Sequence, residues 1–226
     1  MNRNIKGIIF DLDGTLLDSM SVWENVDKMF LEENGIVPPK GISDIVKKMT
    51  IQDSATYFKT RFGLKLSCEY IINRIEEIVS EQYKCIIPLK EGALKTVTLL
   101  RQKGYKMCVA TATYNSLANS ALKRLGLYNN FDFIITCSDA GAGKDKPDIF
   151  IQAAKKMKCS PFETAVIEDS LHCIETAVNA GFFTIGVYDK INEPDWKEIC
   201  LKSDVTVKNI SEITDILTVS YTHLTL

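Results

Sequence analysis

The feature that most constrains the fold is a series of short apolar runs separated by helical patterns. The first run, GIIF at Gly7–Phe10, is uninterrupted and rich in β-branched residues, as expected for a parallel strand buried on both faces. Because strands that alternate with helices form parallel sheets covered on both faces, we predict an α/β protein with a Rossmann-like, doubly wound parallel sheet. The other predicted strands are residues 107–110, 133–136, 165–167, 184–187 and, more weakly, 205–207, and the predicted helices are 92–103, 115–125, 148–157 and 171–180.

One long segment interrupts this alternation. Residues 19–88 show amphipathic helical spacing, for example at Val22, Val26 and Phe30, and no convincing strand. We therefore predict an all-helical cap domain inserted after the first strand. The last eight residues fit no element and are expected to be a flexible tail or a non-native extension. The predicted domains are a core at 1–17 and 89–218, a cap at 18–88 and a tail at 219–226.

The composition narrows the class of partner. The 27 basic and 29 acidic residues give a net charge of −2 without long single-sign blocks, so we expect no nucleic acid and no membrane as partner, and no obligate protein partner is evident. The seven cysteines are scattered without a C-x-x-C pair and are expected to be buried thiols in a reducing compartment. The apolar runs are too short for a signal peptide or a membrane span. We expect a cytoplasmic protein that binds a small molecule.

Pairs of acidic residues follow two of the predicted strands. Asp11 and Asp13 end the first strand, in DLDGT, and Glu168 and Asp169 end the strand that begins with AVI. Because ligands bind at the carboxyl ends of parallel strands, we expect the two pairs to converge. Two such carboxylates, followed by a turn at Gly14, could hold Mg²⁺, or one could attack phosphorus while the other acts as general acid and base. The alternatives are a surface turn for the first pair and a helix N-cap for the second.

Two further segments could complete a phosphate site at the same edge. Thr111 follows the strand MCVA and precedes a helix that begins at Asn115, so its hydroxyl and the next amides are expected to face the crevice. The segment GKDKPDIF offers Lys144 or Lys146 as the positive charge that an attacking carboxylate and a phosphate both need. The alternatives are an ordinary helix cap for the threonine and a solvated surface position for either lysine.

Together the four segments resemble the haloacid dehalogenase superfamily of phosphotransferases. The match is DLDGTLLDS at 11–19, VATAT at 109–113, GKDKPDIF at 143–150 and AVIEDS at 165–170, in the family's order. The resemblance implies that Asp11 is a covalent nucleophile, and that Asp13 protonates the leaving oxygen and activates water. It also implies that Thr111 and the amide of Ala112 bind the phosphoryl oxygens.

The resemblance further implies a Mg²⁺ cofactor. The ion would be held by the Asp11 carboxylate, the backbone carbonyl of Asp13 and the Asp169 carboxylate, with Glu168 in a supporting role. Four negative groups and a substrate phosphate need both Mg²⁺ and an ammonium nearby to coexist.

The family's usual lysine segment reads K-P-x-P-D-x-F, and this chain has Asp145 in place of the first proline. Counting back from Pro147 selects Lys144 as the active-site lysine, with Lys146 as the alternate. The predicted catalytic residues are Asp11, Asp13, Thr111 and Lys144, and the predicted substrate-binding residues are Gly14, Thr111, Ala112, Asn115 and Lys144.

The helical insert looks like the cap of the family's beta-phosphoglucomutase-like branch. Beta-phosphoglucomutase has a histidine twelve residues beyond the nucleophile, where this chain has Trp23. We therefore predict an enzyme, a Mg²⁺-dependent phosphatase for a small organic phosphate monoester, with a sugar phosphate mutase as the alternative. A non-catalytic, metal-binding regulatory module is a third hypothesis. The substrate stays open because these cap residues could line a pocket or pack the helices: Met49, Gln52, Tyr57 and Phe58.

Overall fold

The computed structural model describes residues 3–46 and 49–219, and residues 220–226 of the predicted tail lie outside this range. Within it, six strands form one parallel sheet. The strands are β1 (Gly7–Phe10), β2 (Lys106–Thr111), β3 (Phe133–Thr136), β4 (Thr164–Glu168), β5 (Phe183–Val187) and β6 (Val205–Val207). Each predicted apolar run lies inside one of these strands. The prediction of a doubly wound α/β core is confirmed.

The sheet order places β1 near the middle. The strands are arranged β3-β2-β1-β4-β5-β6, and each neighbouring pair is parallel. All four residues of β1 are buried, which explains its unbroken apolar sequence. Chain progression reverses direction at β1, so the ligand crevice of such a sheet lies beyond the carboxyl ends of β1, β2 and β4.

The chain divides into two compact units, Ser19–Ile86 and the segments on either side of it. The cap bounds from the sequence, 18–88, differ from this unit by one residue at the start and two at the end. In the larger unit, the segments that flank the insertion run side by side. The Asp18 amide donates to the Pro88 carbonyl (3.1 Å), and the Lys90 amide donates to the Leu16 carbonyl (2.9 Å).

The described residues of the smaller unit form helices joined by short loops, and no strand. It contains α1 (Met20–Glu33), α2 (Ile42–Val46), α3 (Ile51–Arg61), α4 (Cys68–Glu81) and a π-helical segment at Gln82–Ile86. Thr50 and Ser67 are the N-caps of α3 and α4, and their hydroxyls accept hydrogen bonds from the backbone amides of Asp53 and Tyr70, both at 3.1 Å.

The apolar side chains of this unit pack on one another. Val22, Val26 and Phe30 of α1 are buried, as the helical spacing predicts. Phe58 is fully buried, and its ring centroid lies 5.6 Å from that of Phe30, so it belongs to the cap core. Gln52 is exposed.

Seven α-helices of the described chain belong to the larger unit: α5 (Ala93–Gln102), α6 (Asn115–Arg124), α7 (Cys137–Ala140), α8 (Asp148–Lys156), α9 (Leu171–Asn179), α10 (Trp196–Lys202) and α11 (Ile213–Val219). Four of them correspond to predicted helices, whereas the short α7, α10 and α11 were not predicted. The α8 helix packs on β1, β2 and β3, and α9 packs on β4 and β5. Among the described residues, no helix is both long enough and apolar enough to cross a membrane.

The cysteines are less buried than the sequence suggests. All seven are free thiols, but only Cys108 and Cys173 are buried, and Cys85 and Cys200 are exposed. The expectation of seven buried thiols is therefore wrong. The reason is that Cys85 and Cys200 lie on exposed turns of helical segments. A single cysteine in the sequence does not indicate which side of a helix it occupies.

Candidate active site

The two acidic pairs meet at the carboxyl edge of the sheet. Asp11 directly follows β1, and its amide continues the parallel ladder by donating to the Ile167 carbonyl of β4 (2.9 Å). Glu168 ends β4 and Asp169 comes next. One carboxylate oxygen from each of Asp11, Glu168 and Asp169 lies within 4.8 Å of the others, and all three residues are buried. The convergence predicted from the strand ends is thus present.

Lys144 supplies the positive charge of this cluster. Its Nζ atom contacts Asp11 Oδ1 and donates to Glu168 Oε1 at 2.7 Å. Lys144 is buried, whereas Lys146 is exposed to solvent. Of the two lysines that the sequence left open, the structure brings Lys144 into the site.

Burial and like charge perturb these groups strongly. Burial raises the pKa of the Asp11 carboxyl to about 8; Glu168 adds to the rise and Lys144 opposes it. Burial, reinforced by Glu168 and Asp11, also raises the pKa of Asp169 well above its usual range. Burial alone would lower the pKa of Lys144, but Asp11 and Glu168 outweigh it and hold that pKa well above its usual range.

A hard divalent cation fits this set of donors. Three buried carboxylates with oxygens within 4.8 Å of one another carry more negative charge than one ammonium offsets. A bound divalent ion would remove that imbalance and favour the ionised carboxylates. Carboxylate oxygens are also the ligands such ions prefer. The cluster of Asp11, Glu168 and Asp169 could therefore hold a metal ion.

Glu168 is held more tightly than its partners. Its Oε1 atom accepts from Lys144, while Oε2 accepts the amides of Asp169 (3.0 Å) and Ser170 (3.2 Å). These contacts occupy both oxygens and fix the carboxylate in one orientation. Such an arrangement suits a group that orients the lysine and the next carboxylate.

The absence of a side chain at Gly14 leaves space for the Asp169 carboxylate. A Cβ atom at Gly14 would lie 2.2 Å from Asp169 Oδ2, and the glycine has a left-handed φ of 83°. Both the backbone conformation and the approach of the carboxylate therefore require glycine here. Ser170, and not Asp169, occupies the N-cap position of α9. The Ser170 side chain makes no capping hydrogen bond.

Asp13 follows β1 in the same motif as Asp11 and bonds to the segment that follows β2. Its Oδ2 atom accepts from the Thr113 hydroxyl at 2.7 Å. Strand β2 extends to Thr111, one residue further than predicted, and Thr111 is fully buried. Its hydroxyl accepts the Thr113 amide at 3.0 Å, so the two threonines order this segment together.

The other predicted substrate-binding residues lie further along the same segment. Ala112 is exposed between the two threonines. Asn115 is the first residue of α6. Its side-chain oxygen and its backbone carbonyl both accept from the side-chain nitrogen of Asn119. The structure therefore places Asn115 at the helix start, bonded to its own helix and outside the acidic cluster.

Comparison with known proteins identifies the family. The haloacid dehalogenase-like hydrolase family matches residues 8–187, a range that contains every residue of the acidic cluster and Lys144. The chain belongs to this family. The membership confirms the resemblance seen in the four motifs and the prediction that the chain is an enzyme.

Curated relatives of this haloacid dehalogenase-like hydrolase align over nearly their whole length. Hexitol phosphatase A of Escherichia coli strain K12 is 25% identical over 209 residues, which cover 92% of this chain and 93% of the relative. Beta-phosphoglucomutase of Bacillus subtilis strain 168 is 26% identical over 219 residues, which cover 93% and 92% of the two chains.

Solved structures share the fold of this hydrolase. A crystal structure of a Thermotoga maritima protein has a TM-score of 0.83 at 22% identity and covers 94% of this chain and 98% of its own. Beta-phosphoglucomutase from Clostridium difficile has a TM-score of 0.71 at 20% identity, with coverage of 97% and 98%. At these identities the likeness shows the fold.

Three residues at the site of this hydrolase were missed by sequence reasoning. The Thr15 hydroxyl donates to Asp169 Oδ1 at 3.3 Å, and the Thr113 hydroxyl donates to Asp13. The side-chain amide of Asn192 donates to Asp169 Oδ2 at 2.7 Å. Thr15 and Thr113 lie inside recognised motifs, so their positions were a usable signal. Asn192 lies in a loop after β5 with no motif around it.

Proposed function

We propose that this chain is a Mg²⁺-dependent phosphatase that hydrolyses a small organic phosphate monoester through a phosphorylated Asp11. The convergence of three buried carboxylates with the Lys144 ammonium at the carboxyl edge of the sheet carries the proposal. Hexitol phosphatase A and the Thermotoga maritima relative named phosphorylated carbohydrates phosphatase support a phosphorylated sugar or polyol as the substrate class. A cytoplasmic location stays a prediction.

Each residue has a role that follows from its position. Asp11 would attack phosphorus, and Asp13 would give a proton to the leaving oxygen and then take one from the attacking water. The Thr113 hydroxyl, 2.7 Å from Asp13 Oδ2, would hold that carboxylate in place. Lys144, in contact with Asp11, would offset the negative charge that gathers there.

The remaining groups would bind the phosphoryl group and the metal. Thr111 and the amide of Ala112 would receive the phosphoryl oxygens at the end of β2, with Gly14 and Asn115 flanking them. Asp11, Asp169 and the backbone carbonyl of Asp13 would hold Mg²⁺, with Glu168 as support. Bound there, the ion would supply charge stabilisation for the transferring phosphoryl group.

The proposal is tested by turnover of para-nitrophenyl phosphate with Mg²⁺. We expect the Asp11→Asn variant to lose activity, and radiolabelled phosphate to remain on acid-quenched wild-type protein but not on the variant. Asp215→Asn changes an exposed aspartate of α11 and should leave turnover unchanged. Retained turnover in Asp11→Asn would reject the covalent mechanism, and absence of turnover in the wild type would favour a regulatory metal-binding module.

A sugar phosphate mutase is the second candidate, because the chain aligns with beta-phosphoglucomutase of Bacillus subtilis over 219 residues. Against it, Trp23 stands where the mutase has a histidine, and its indole N–H donates to the Tyr83 hydroxyl at 3.1 Å. Incubation with beta-glucose 1-phosphate separates the two: the phosphatase releases glucose and phosphate, whereas the mutase forms glucose 6-phosphate.

A further inference from the structure

The loop after β5 delivers a neutral hydrogen-bond donor to Asp169. The Asn192 amide nitrogen donates to Asp169 Oδ2 at 2.7 Å and to the Asp169 carbonyl at 3.1 Å. Both partners are acceptors, so the nitrogen and not the oxygen of the Asn192 amide must face Asp169. The amide therefore spans the side chain and the backbone of one residue and restricts rotation of its carboxylate.

Asp169 is also restrained from its other side. The Thr15 hydroxyl donates to Oδ1 at 3.3 Å, and Gly14 lies so close that a Cβ there would approach Oδ2 to 2.2 Å. An ionised carboxylate accepts about four hydrogen bonds or ligands. Two donors therefore fix the orientation of the group and still leave lone pairs for a cation.

The loop that carries Asn192 is itself anchored. Asp189, which is only 4% exposed, forms an ion pair with Lys90 and accepts the Ile191 amide at 2.9 Å. Lys90 Nζ also donates to the Tyr188 carbonyl at 3.3 Å, and the backbone N–H of Asn192 donates to the Asp189 carbonyl at 3.2 Å. These contacts hold the start of the loop at a fixed place relative to β5.

We infer that Asn192 is a positioning residue that orients the Asp169 carboxylate for Mg²⁺, with the Lys90–Asp189 ion pair fixing its loop. The inference rests on the proposed function for the existence of the Mg²⁺ site. An amide suits this task because it favours the ionised carboxylate without adding a positive charge that would repel the cation. Partners that orient a metal ligand in this way typically change metal affinity about 10- to 100-fold when removed.

The test is a calorimetric Mg²⁺ titration of the full chain as wild type, Asn192→Leu and Asn192→Ala. Leucine keeps the branching of asparagine at Cγ, in a larger side chain, without its donor, and alanine serves as the second variant if leucine disturbs the loop. We expect both to bind Mg²⁺ about 10-fold more weakly. The concentration of Mg²⁺ that half-activates turnover should rise in parallel, while KM for para-nitrophenyl phosphate at saturating Mg²⁺ stays unchanged.

The control is Asn179→Ala, which removes an exposed asparagine at the last residue of α9, the end of that helix away from Asp169, and should bind Mg²⁺ as the wild type does. Lys90→Met should weaken Mg²⁺ binding in the same direction as Asn192→Leu, but by less. Mg²⁺ affinity within twofold of wild type in both Asn192 variants would overturn the inference. Failure of the wild type to bind Mg²⁺ at all would instead refute the proposed function.

Discussion

Replacing Lys144 with methionine should leave the negative charge of the acidic cluster without its compensating ammonium. The Lys144 ammonium is buried and contacts both Asp11 and Glu168, and the Asp169 carboxylate lies within reach of the same cluster. Methionine keeps most of the volume of the side chain and removes its charge. Three buried carboxylates would then share one site without an ammonium.

The expected loss of stability is large. Breaking a buried ion pair by removing one partner costs about 3–5 kcal/mol, and in a chain of this size each kcal/mol lowers Tm by about 2–4 °C. We therefore expect Lys144→Met, in EDTA at pH 8, to melt about 10 °C below the wild type. It should also lose phosphatase activity, because the charge beside the nucleophile is gone.

The sign of the pH dependence follows from the Asp11 pKa, which burial already raises to about 8. A carboxyl whose folded pKa exceeds its unfolded value stabilises the fold most at low pH, and this contribution is lost as pH rises through the folded pKa. Loss of Lys144 raises the Asp11 pKa further. The difference in Tm between variant and wild type should therefore shrink when the pH falls from 8 to 5.

The measurement is thermal unfolding followed by circular dichroism, with Lys146→Met as the matched control. Lys146 lies two positions away and is exposed, so its replacement should leave both Tm and turnover close to wild type. An equal loss of activity in Lys146→Met and Lys144→Met, or a wild-type Tm for Lys144→Met at pH 8, would refute this role of the Lys144 charge.

Two further predictions follow from single residues. Asp27 is buried in α1 and forms no hydrogen bond or ion pair among the described residues, and burial raises its pKa to about 6. Such a rise corresponds to about 3 kcal/mol, reduced to about 1–2 kcal/mol by solvent screening. Chemical denaturation should show Asp27→Asn to be more stable by that amount at pH 7.5, with the gain vanishing near pH 4; an equal gain at both pH values would contradict the assignment. Gly14→Ala should lose about 1–2 kcal/mol from its left-handed φ and also weaken Mg²⁺ binding by displacing Asp169. Gly126→Ala, with a similar φ and open space around it, should show only the loss of stability, and equal Mg²⁺ affinity in the two variants would exclude the displacement.

Much of the site could be predicted because short apolar runs reveal where strands end, and strand ends determine which residues meet in a parallel sheet. Asp11 and Glu168 directly follow or end short apolar runs, and parallel strands bring their carboxyl ends to one edge whatever the loops do. Thr111 was predicted for the same reason, although it proved to be the last residue of β2. The three short helices were missed because a turn or two of helix carries too little periodicity to detect.

The choice between Lys144 and Lys146 shows where sequence reasoning stops. Both belong to one turn, closed by the Lys146 amide donating to the Gly143 carbonyl at 3.1 Å. Only the folded turn determines which side chain points to Asp11 and which points to solvent. The burial of individual cysteines depended on tertiary packing in the same way.

By itself, the sequence determined the alternation of strands and helices, the helical insertion and the acidic strand ends, because each depends on the periodicity and chemistry of neighbouring residues. Tertiary structure alone decided that Lys144 joins Asp11 and Glu168, that Gly14 makes room for Asp169, and that Asn192 bonds to the Asp169 carboxylate. These contacts join residues from 23 to 155 positions apart. Their geometry follows from how loops pack on the finished sheet, which no local pattern encodes.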